Sequence, residues 1–406
     1  MSTLAIECGT LIDGTGALAS HDVAVVVRDG IIAGIEPIGD TYRVEGAEVL
    51  DARNATLTPG LVDAHAHPGY STDDDPAEWE ASRTSPEGLR AWCLASLQAA
   101  AAAGVTTVRD VGSPTFDAVA VAGEVADPSL GAARLRAGGP AITTTEGHAD
   151  FIGVTADDEA GLRARVRELH AAGVHHIKLM AAGGDMDPHT NRRAPQYTAA
   201  EVAALVDEAH GLGLHVVAHA TCTTAIRMCV DAGVDTLAHC NWLGAEMGTI
   251  DYDPEVADRI VAQGTFIDLD LPNSFADYTV RDGDVFIASA PAGSPRNRWQ
   301  LHADLRARGA RLFFSSDEFG RKLGLFPGRL ADVVAAGVRV EEVVQRATSV
   351  PSAAIDGEGA RGLVAAGLPA DLALFDGDLT RVADGLRRSR GAWRDGVPVA
   401  GEEAAR

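Results

Sequence analysis

The sequence predicts an α/β protein: a (β/α)8 TIM barrel carrying a small β-sandwich domain built from both chain termini. Three observations predict it. From residue 57 onward, eight short apolar strands alternate with helical stretches. The segments before and after that region are strand-rich, with turn signals such as Asp13-Gly14 and Asp29-Gly30. Histidines and a carboxylate recur at the ends of the predicted barrel strands, where such barrels build their sites.

In order, Leu4–Cys8, Asp22–Arg28, Ile31–Ile35 and Val49-Leu50-Asp51 read as the strands of a small β unit. The barrel strands are predicted at 58–66, 105–111, 134–142, 175–181, 215–220, 235–240, 265–271 and 311–316. Helices are predicted over Glu87–Ala103, Glu159–Ala172, Ala199–Gly213, Thr223–Ala232, Pro254–Gln263 and Asn297–Gly309. Gly104, Gly173, Gly213, Gly233, Gly264 and Gly309 stand where helices should stop. An open doubly wound sheet is the competing arrangement, but no G-x-G-x-x-G follows the first strand. Strand-rich sequence returns at Leu363-Val364, Asp371–Phe375 and Gly391–Asp395. The expected domains are residues 1–56 and 356–406, forming the β-sandwich, and residues 57–355, forming the barrel. Two segments exceed ordinary loop length, 182–197 and 272–296, and both leave C-terminal strand ends.

A chain of 406 residues, 46% hydrophobic with mean hydropathy +0.02, can bury a large core. A formal charge of −24 argues against nucleic acid and anionic membrane surfaces as partners. No basic N-terminal region precedes a long apolar stretch, and no window approaches about 18 uninterrupted apolar residues. The five cysteines form no C-x-x-C and read as reduced thiols of a cytoplasmic protein. Homo-oligomerisation is left open.

The chemistry begins at Pro59-Gly60-Leu61-Val62-Asp63-Ala64-His65-Ala66-His67. Strand residues two apart share a face, so His65 and His67 aim both imidazoles at one point, as a metal ion requires. Lys178 lies inside the apolar run His176-Ile177-Lys178-Leu179-Met180, where an ammonium is costly to bury. It is either paired with a carboxylate or converted by carbon dioxide to a carbamate. His219 and His239 end successive strands, and Asp317 ends Leu312-Phe313-Phe314-Ser315-Ser316. Asp317 is a metal ligand and proton acceptor on this reading, with a helix N-cap as the alternative.

His65, His67, Lys178, His219, His239 and Asp317 resemble, in order, the binuclear metal set of the amidohydrolase superfamily. Ala370-Asp371-Leu372-Ala373 is similar to that superfamily's closing motif. Lys178-Leu179-Met180-Ala181-Ala182-Gly183-Gly184, Gln196-Tyr197, Ala209-His210 and Thr144-Thr145-Glu146-Gly147-His148 resemble its imidazolonepropionase-like and Xaa-Pro dipeptidase (prolidase)-like members. The resemblance implies two divalent ions, taken as zinc. His65, His67 and Asp317 hold one, His219 and His239 the other, and carbamylated Lys178 bridges them. It implies hydrolysis of an amide, dipeptide or cyclic amide C–N bond in a small molecule by a metal-bridging hydroxide, with Asp317 moving the proton. His148 and Tyr197 are the expected oxyanion donors. A deaminase is the alternative within the superfamily and a non-catalytic scaffold the alternative outside it. Cys240-Asn241-Trp242 and Glu318-Phe319-Gly320-Arg321 depart from the pattern. Trp242 and Glu318 are therefore expected to face substrate, and the loop 272–296 is expected to close over it with Arg296 or Arg298 near its end.

Overall fold

The computed structural model describes residues 3–39, 46–71, 76–186, 189–271, 278–281, 284–287 and 298–401. Eight parallel strands form the barrel. The first three are Leu61–His67, Val105–Asp110 and a third in two pieces, Arg134–Ala137 and Ala141–Thr143. The rest are His176–Met180, His215–Cys222, Thr236–Leu243, Phe266–Asp270 and Arg311–Ser315. Alternation of apolar strands with amphipathic helices is what closes them. Helix-facing residues such as Ile177, Val216, Leu237 and Ile267 pack with Leu205, Ile226 and Ile260 of the surrounding helices in one apolar cluster.

The third strand, expected to run unbroken over 134–142, is interrupted at Gly138-Gly139-Pro140, where Pro140 has no N–H to give the ladder. Its first piece pairs with the second strand and its second piece with the fourth. The barrel closes between the eighth strand and the first: Asp317 N donates to His65 O at 2.9 Å, and Glu318–Phe319 pairs with Ala66 and His67.

Local signals set the helix ends. Pro86–Ala102 begins on Ser85, whose hydroxyl accepts from Gly88 N. Ala199–Gly211 carries a full capping box between Thr198 and Glu201. Each of the six glycines expected to end a helix has positive φ. The helices Phe326–Ala335, Val340–Arg346 and Ser349–Asp356 fill a stretch for which sequence patterning names no element. Within 272–296, read as loop, Tyr278–Arg281 and Asp284–Ile287 form a short antiparallel hairpin.

The terminal β unit is a seven-stranded sheet drawn from both ends of the chain. Thr3–Leu11, near its centre, pairs antiparallel with Ser20–Arg28 and parallel with Glu48–Pro59. Glu48–Pro59 in turn pairs with Leu372–Asp376 from the C-terminal end. Ile6, Val25, Leu57, Leu374 and Trp393 lie in its apolar core. A buried ion network ties this unit to the barrel. Arg134 of the third strand donates to Asp371 and Asp395, each at 2.8 Å, and Arg361 donates to the same pair at 2.8 and 2.7 Å. Asp371 is 4% exposed, so its removal leaves the two guanidiniums with only the half-exposed Asp395 at the seam. Asp371→Ala should therefore destabilise by about 1–3 kcal/mol, the cost of a lost charge-assisted hydrogen-bond acceptor, read as a fall of several degrees in apparent melting temperature. A melting temperature equal to that of the unaltered protein would show that the network contributes nothing.

Candidate metal centre and substrate cavity

The six expected ligands arrive from the C-terminal ends of five different strands. Alternation along Leu61–His67 puts His65 and His67 on one face. Parallel pairing sets Met180 opposite His219 and Ala220 opposite His239, so the fourth, fifth and sixth strands deliver side chains at matched height. Lys178 starts one pleat deeper, and its long side chain makes up the difference. His239, inside the sixth strand, and Asp317, just beyond the eighth, have left-handed backbone, with φ of 66° and 52°. Left-handed backbone at residues other than glycine costs free energy and collects at functional sites.

The side chains converge. Donor atoms of His65, His239 and Asp317 lie within 4.8 Å of one another. Asp317 Oδ1 is 3.2 Å from His65 Nε2 and 3.3 Å from His67 Nε2. The His219 ring centroid is 4.7 Å from that of His239. What makes this a donor set is the far side of each ring. His65 Nδ1 is bonded to Asp268, His67 Nδ1 to Gly112 O at 2.9 Å, and His239 Nδ1 to Asp270 at 3.0 Å. Those acceptors demand a proton on Nδ1 and leave the Nε2 lone pairs turned inward. His219 is reversed: its Nε2 faces Gly183 O at 3.1 Å, leaving Nδ1 as the free atom. These residues fit divalent metal.

Electrostatics point the same way. Burial and Lys178 push the His65 imidazole down, but Asp317 and Asp268 outweigh them and leave it at about 9. The group thus holds a proton where an ion would carry the charge. Burial lowers Lys178 to about 8, and no carboxylate of the described residues hydrogen-bonds its amine. Burial would raise Asp317, but His65, His67 and His239 hold it well below the usual carboxylate range. Burial, with His239 and Lys178 nearby, drops His148 to about 4.

The amidohydrolase family profile matches residues 56–402. The chain belongs to the amidohydrolase family. It is 26% identical over 272 residues to ochratoxinase of Aspergillus niger, covering 60% of this chain and 55% of that one. It is 28% identical over 283 residues to 5-methylthioadenosine/S-adenosylhomocysteine deaminase of Natronomonas pharaonis, covering 66% and 60%. The chain thus spans little more than half the length of these curated relatives. A crystal structure of a Xaa-Pro dipeptidase with methionine in its active site has the same fold. Its TM-score is 0.81 at 23% identity, over 98% of this chain and 100% of that one.

In this amidohydrolase the converging residues line a cavity of about 260 Å³, and His148 lines it too. Its ring centroid is 4.5 Å from that of His219. Gln196 fixes the segment, accepting from His148 N at 2.6 Å and donating to Met180 O at 2.8 Å. Gly184 leaves the ring its space, since a Cβ there would lie 2.1 Å from His148 Cε1. Tyr197 does not join them. Its hydroxyl donates to Ala156 O at 3.1 Å, and its ring packs in the core between strands and helices. Trp242 is also misplaced by sequence reasoning. Its backbone is left-handed at φ 55°, and its indole is fully buried against Tyr252 on the helix side. Glu318 is ion-paired with Arg329 and lines a neighbouring cavity of about 720 Å³, which shares Asp270, Asp317 and Phe319 with the first. Arg296 lies outside the described residues; Arg298 opens the helix Arg298–Ala307.

Sequence reasoning missed Asp268 and Asp270. The signal was present: two carboxylates two apart in Phe266–Asp270 share a face. It also missed Arg192 and Asn241, which line the cavity. Asp268, fully buried, also accepts from Ser315 Oγ and orients His65. Asp268→Ala should weaken metal binding about 10- to 100-fold. Competition with a chromophoric chelator measures this, and an unchanged affinity would remove Asp268 from that role.

Proposed function

We propose that this amidohydrolase hydrolyses a C–N bond of a small molecule, in an amide, dipeptide or cyclic amide, at a centre of two divalent ions. The observation that carries the reading is the convergence of inward-facing imidazole nitrogens on Asp317, with the buried amine of Lys178 beside them. His65, His67 and Asp317 would hold one ion, His219 and His239 the other, with carbamylated Lys178 between them. Zinc suits imidazole and carboxylate donors. Bound there, the ions acidify water and polarise a carbonyl.

The chain's own residues do the rest. Asp317, kept ionised by the surrounding imidazoles, accepts the proton of the attacking water and returns it to the leaving nitrogen. His148, kept neutral by burial, donates its ring N–H to the oxyanion as the carbonyl goes tetrahedral. The likeness to a Xaa-Pro dipeptidase structure supports a carbonyl–nitrogen bond as target. The likeness to a deaminase supports release of ammonia from a ring as the second reading. Free, buried cysteines suit the cytoplasm. Among the described residues no helix is long and apolar enough to cross a membrane.

Lys178→Ala should lose most bound metal and activity, and a short-chain carboxylic acid should partly restore both by replacing the carbamate. One metal per active chain, together with full activity in Lys178→Ala, would overturn the binuclear centre. Asp317→Asn should lower turnover by about 100-fold or more in metal-replete protein. Near-normal turnover would assign proton transfer elsewhere. Product analysis on N-acyl amino acids, dipeptides and cyclic amides against aminopurines separates hydrolase from deaminase.

A further inference from the structure

Arg192 sits in the segment between the fourth strand and the helix Ala199–Gly211, and it lines the cavity beside Met186 and Thr221. A guanidinium offers two edges to carboxylates, end-on through both Nη atoms and side-on through Nε and one Nη. Here Nη1 donates to Asp185 at 2.5 Å. Asp185 is 71% exposed in its side chain, so that ion pair is a solvated one. Nε has no partner, while the Arg192 side chain as a whole is 40% exposed. An unpaired guanidinium edge is complemented by a carboxylate, which accepts from Nε and Nη together once the exposed side chain turns that edge to it.

The backbone under this side chain is fixed relative to the metal centre. Thr221, two residues beyond His219, donates its hydroxyl to Arg192 O at 2.7 Å. Gly183 O, which faces His219 Nε2, begins the same segment, and Gly183 N donates to Ala194 O at 3.2 Å. The distance from Arg192 to the imidazoles is therefore set by the fifth strand on both flanks of the segment. Charge selects the ligand further. Among the described residues lining the cavity, Lys178 and Arg192 are the cationic Lys and Arg side chains. Lys178 belongs to the metal centre. Asp270 and Asp317 are held by imidazoles, so neither answers Arg192. Ile152, Met180 and Phe319 give the cavity apolar walls, and about 260 Å³ admits only a small molecule.

We propose that Arg192 anchors a substrate carboxylate through its Nε edge. This makes the substrate class N-acyl amino acids and dipeptides with a free C-terminal carboxylate, the scissile carbonyl lying at the imidazoles. The assignment rests on the hydrolase reading above. The test uses the metal-loaded full chain, with substrate pairs identical except for a terminal carboxylate or carboxamide. The unaltered protein should favour the carboxylate by about 10- to 100-fold in kcat/KM, the worth of a charge-assisted bidentate contact. In Arg192→Met that ratio should fall towards one, through KM rather than kcat. Arg192→Lys, which keeps the charge and loses the fork, should fall between. Melting temperature and metal content of each variant establish that it is folded and loaded. A preference undiminished in Arg192→Met, or a best substrate with no carboxylate, overturns the assignment while leaving hydrolysis intact. If no pair is hydrolysed, the hydrolase reading fails by itself, and calorimetric binding of the same pairs then decides Arg192. Carboxylate-selective binding that Arg192→Met abolishes supports it, and equal binding of both members overturns it.

Discussion

Four of the five imidazoles that line the cavity can serve one metal centre only while each keeps its proton on the nitrogen turned away from the others. The acceptors behind the rings enforce this: Asp268 for His65, Gly112 O for His67, Asp270 for His239 and Gly183 O for His219. Without them the rings would choose their own tautomers and rotamers, and the lone pairs would not meet. The barrel is the means of supplying these acceptors, because each comes from a different element than the ring it serves. Asp268 and Asp270 stand on the seventh strand and reach across to the first and across one step to the sixth.

The site also depends on where regular strand geometry stops. A strand can aim alternate side chains inward, but the chain must bend out of regular extension to pass over the barrel mouth. At the sixth strand the turn is taken by His239, Cys240 and Trp242 in left-handed backbone, and at the eighth by Asp317. The cost of those conformations is met by the closed hydrogen bonding around them, such as Asp317 N on His65 O. The bond that closes the barrel therefore also seats the proposed proton carrier.

The β unit contributes no side chain to the described lining of the cavity. Its connection is structural, through Arg134, Arg361, Asp371 and Asp395. Arg134 stands on the interrupted third strand, the place where the barrel's two hydrogen-bonded arcs meet.

Much of this was legible in the sequence because its causes are local. Strand–helix alternation predicted the barrel, and a two-residue spacing predicted that His65 and His67 face together. Position at strand ends picked out Lys178, His219, His239 and Asp317, since a strand's direction decides what its last residues can reach. Other features were decided only by contacts distant in sequence. Glu318 reads as a residue at the mouth until Arg329 takes its carboxylate. Trp242 reads as a neighbour of His239 until left-handed backbone sends its indole to the helix side. Tyr197 follows a glutamine that serves His148, yet its own hydroxyl finds Ala156 O in the opposite direction. Arg192 carries no periodic signal, and only the folding of its segment against the fifth strand brings it to the cavity. Periodicity determines which face a side chain shares with its neighbours; which partner waits on that face depends on the closure of the whole barrel.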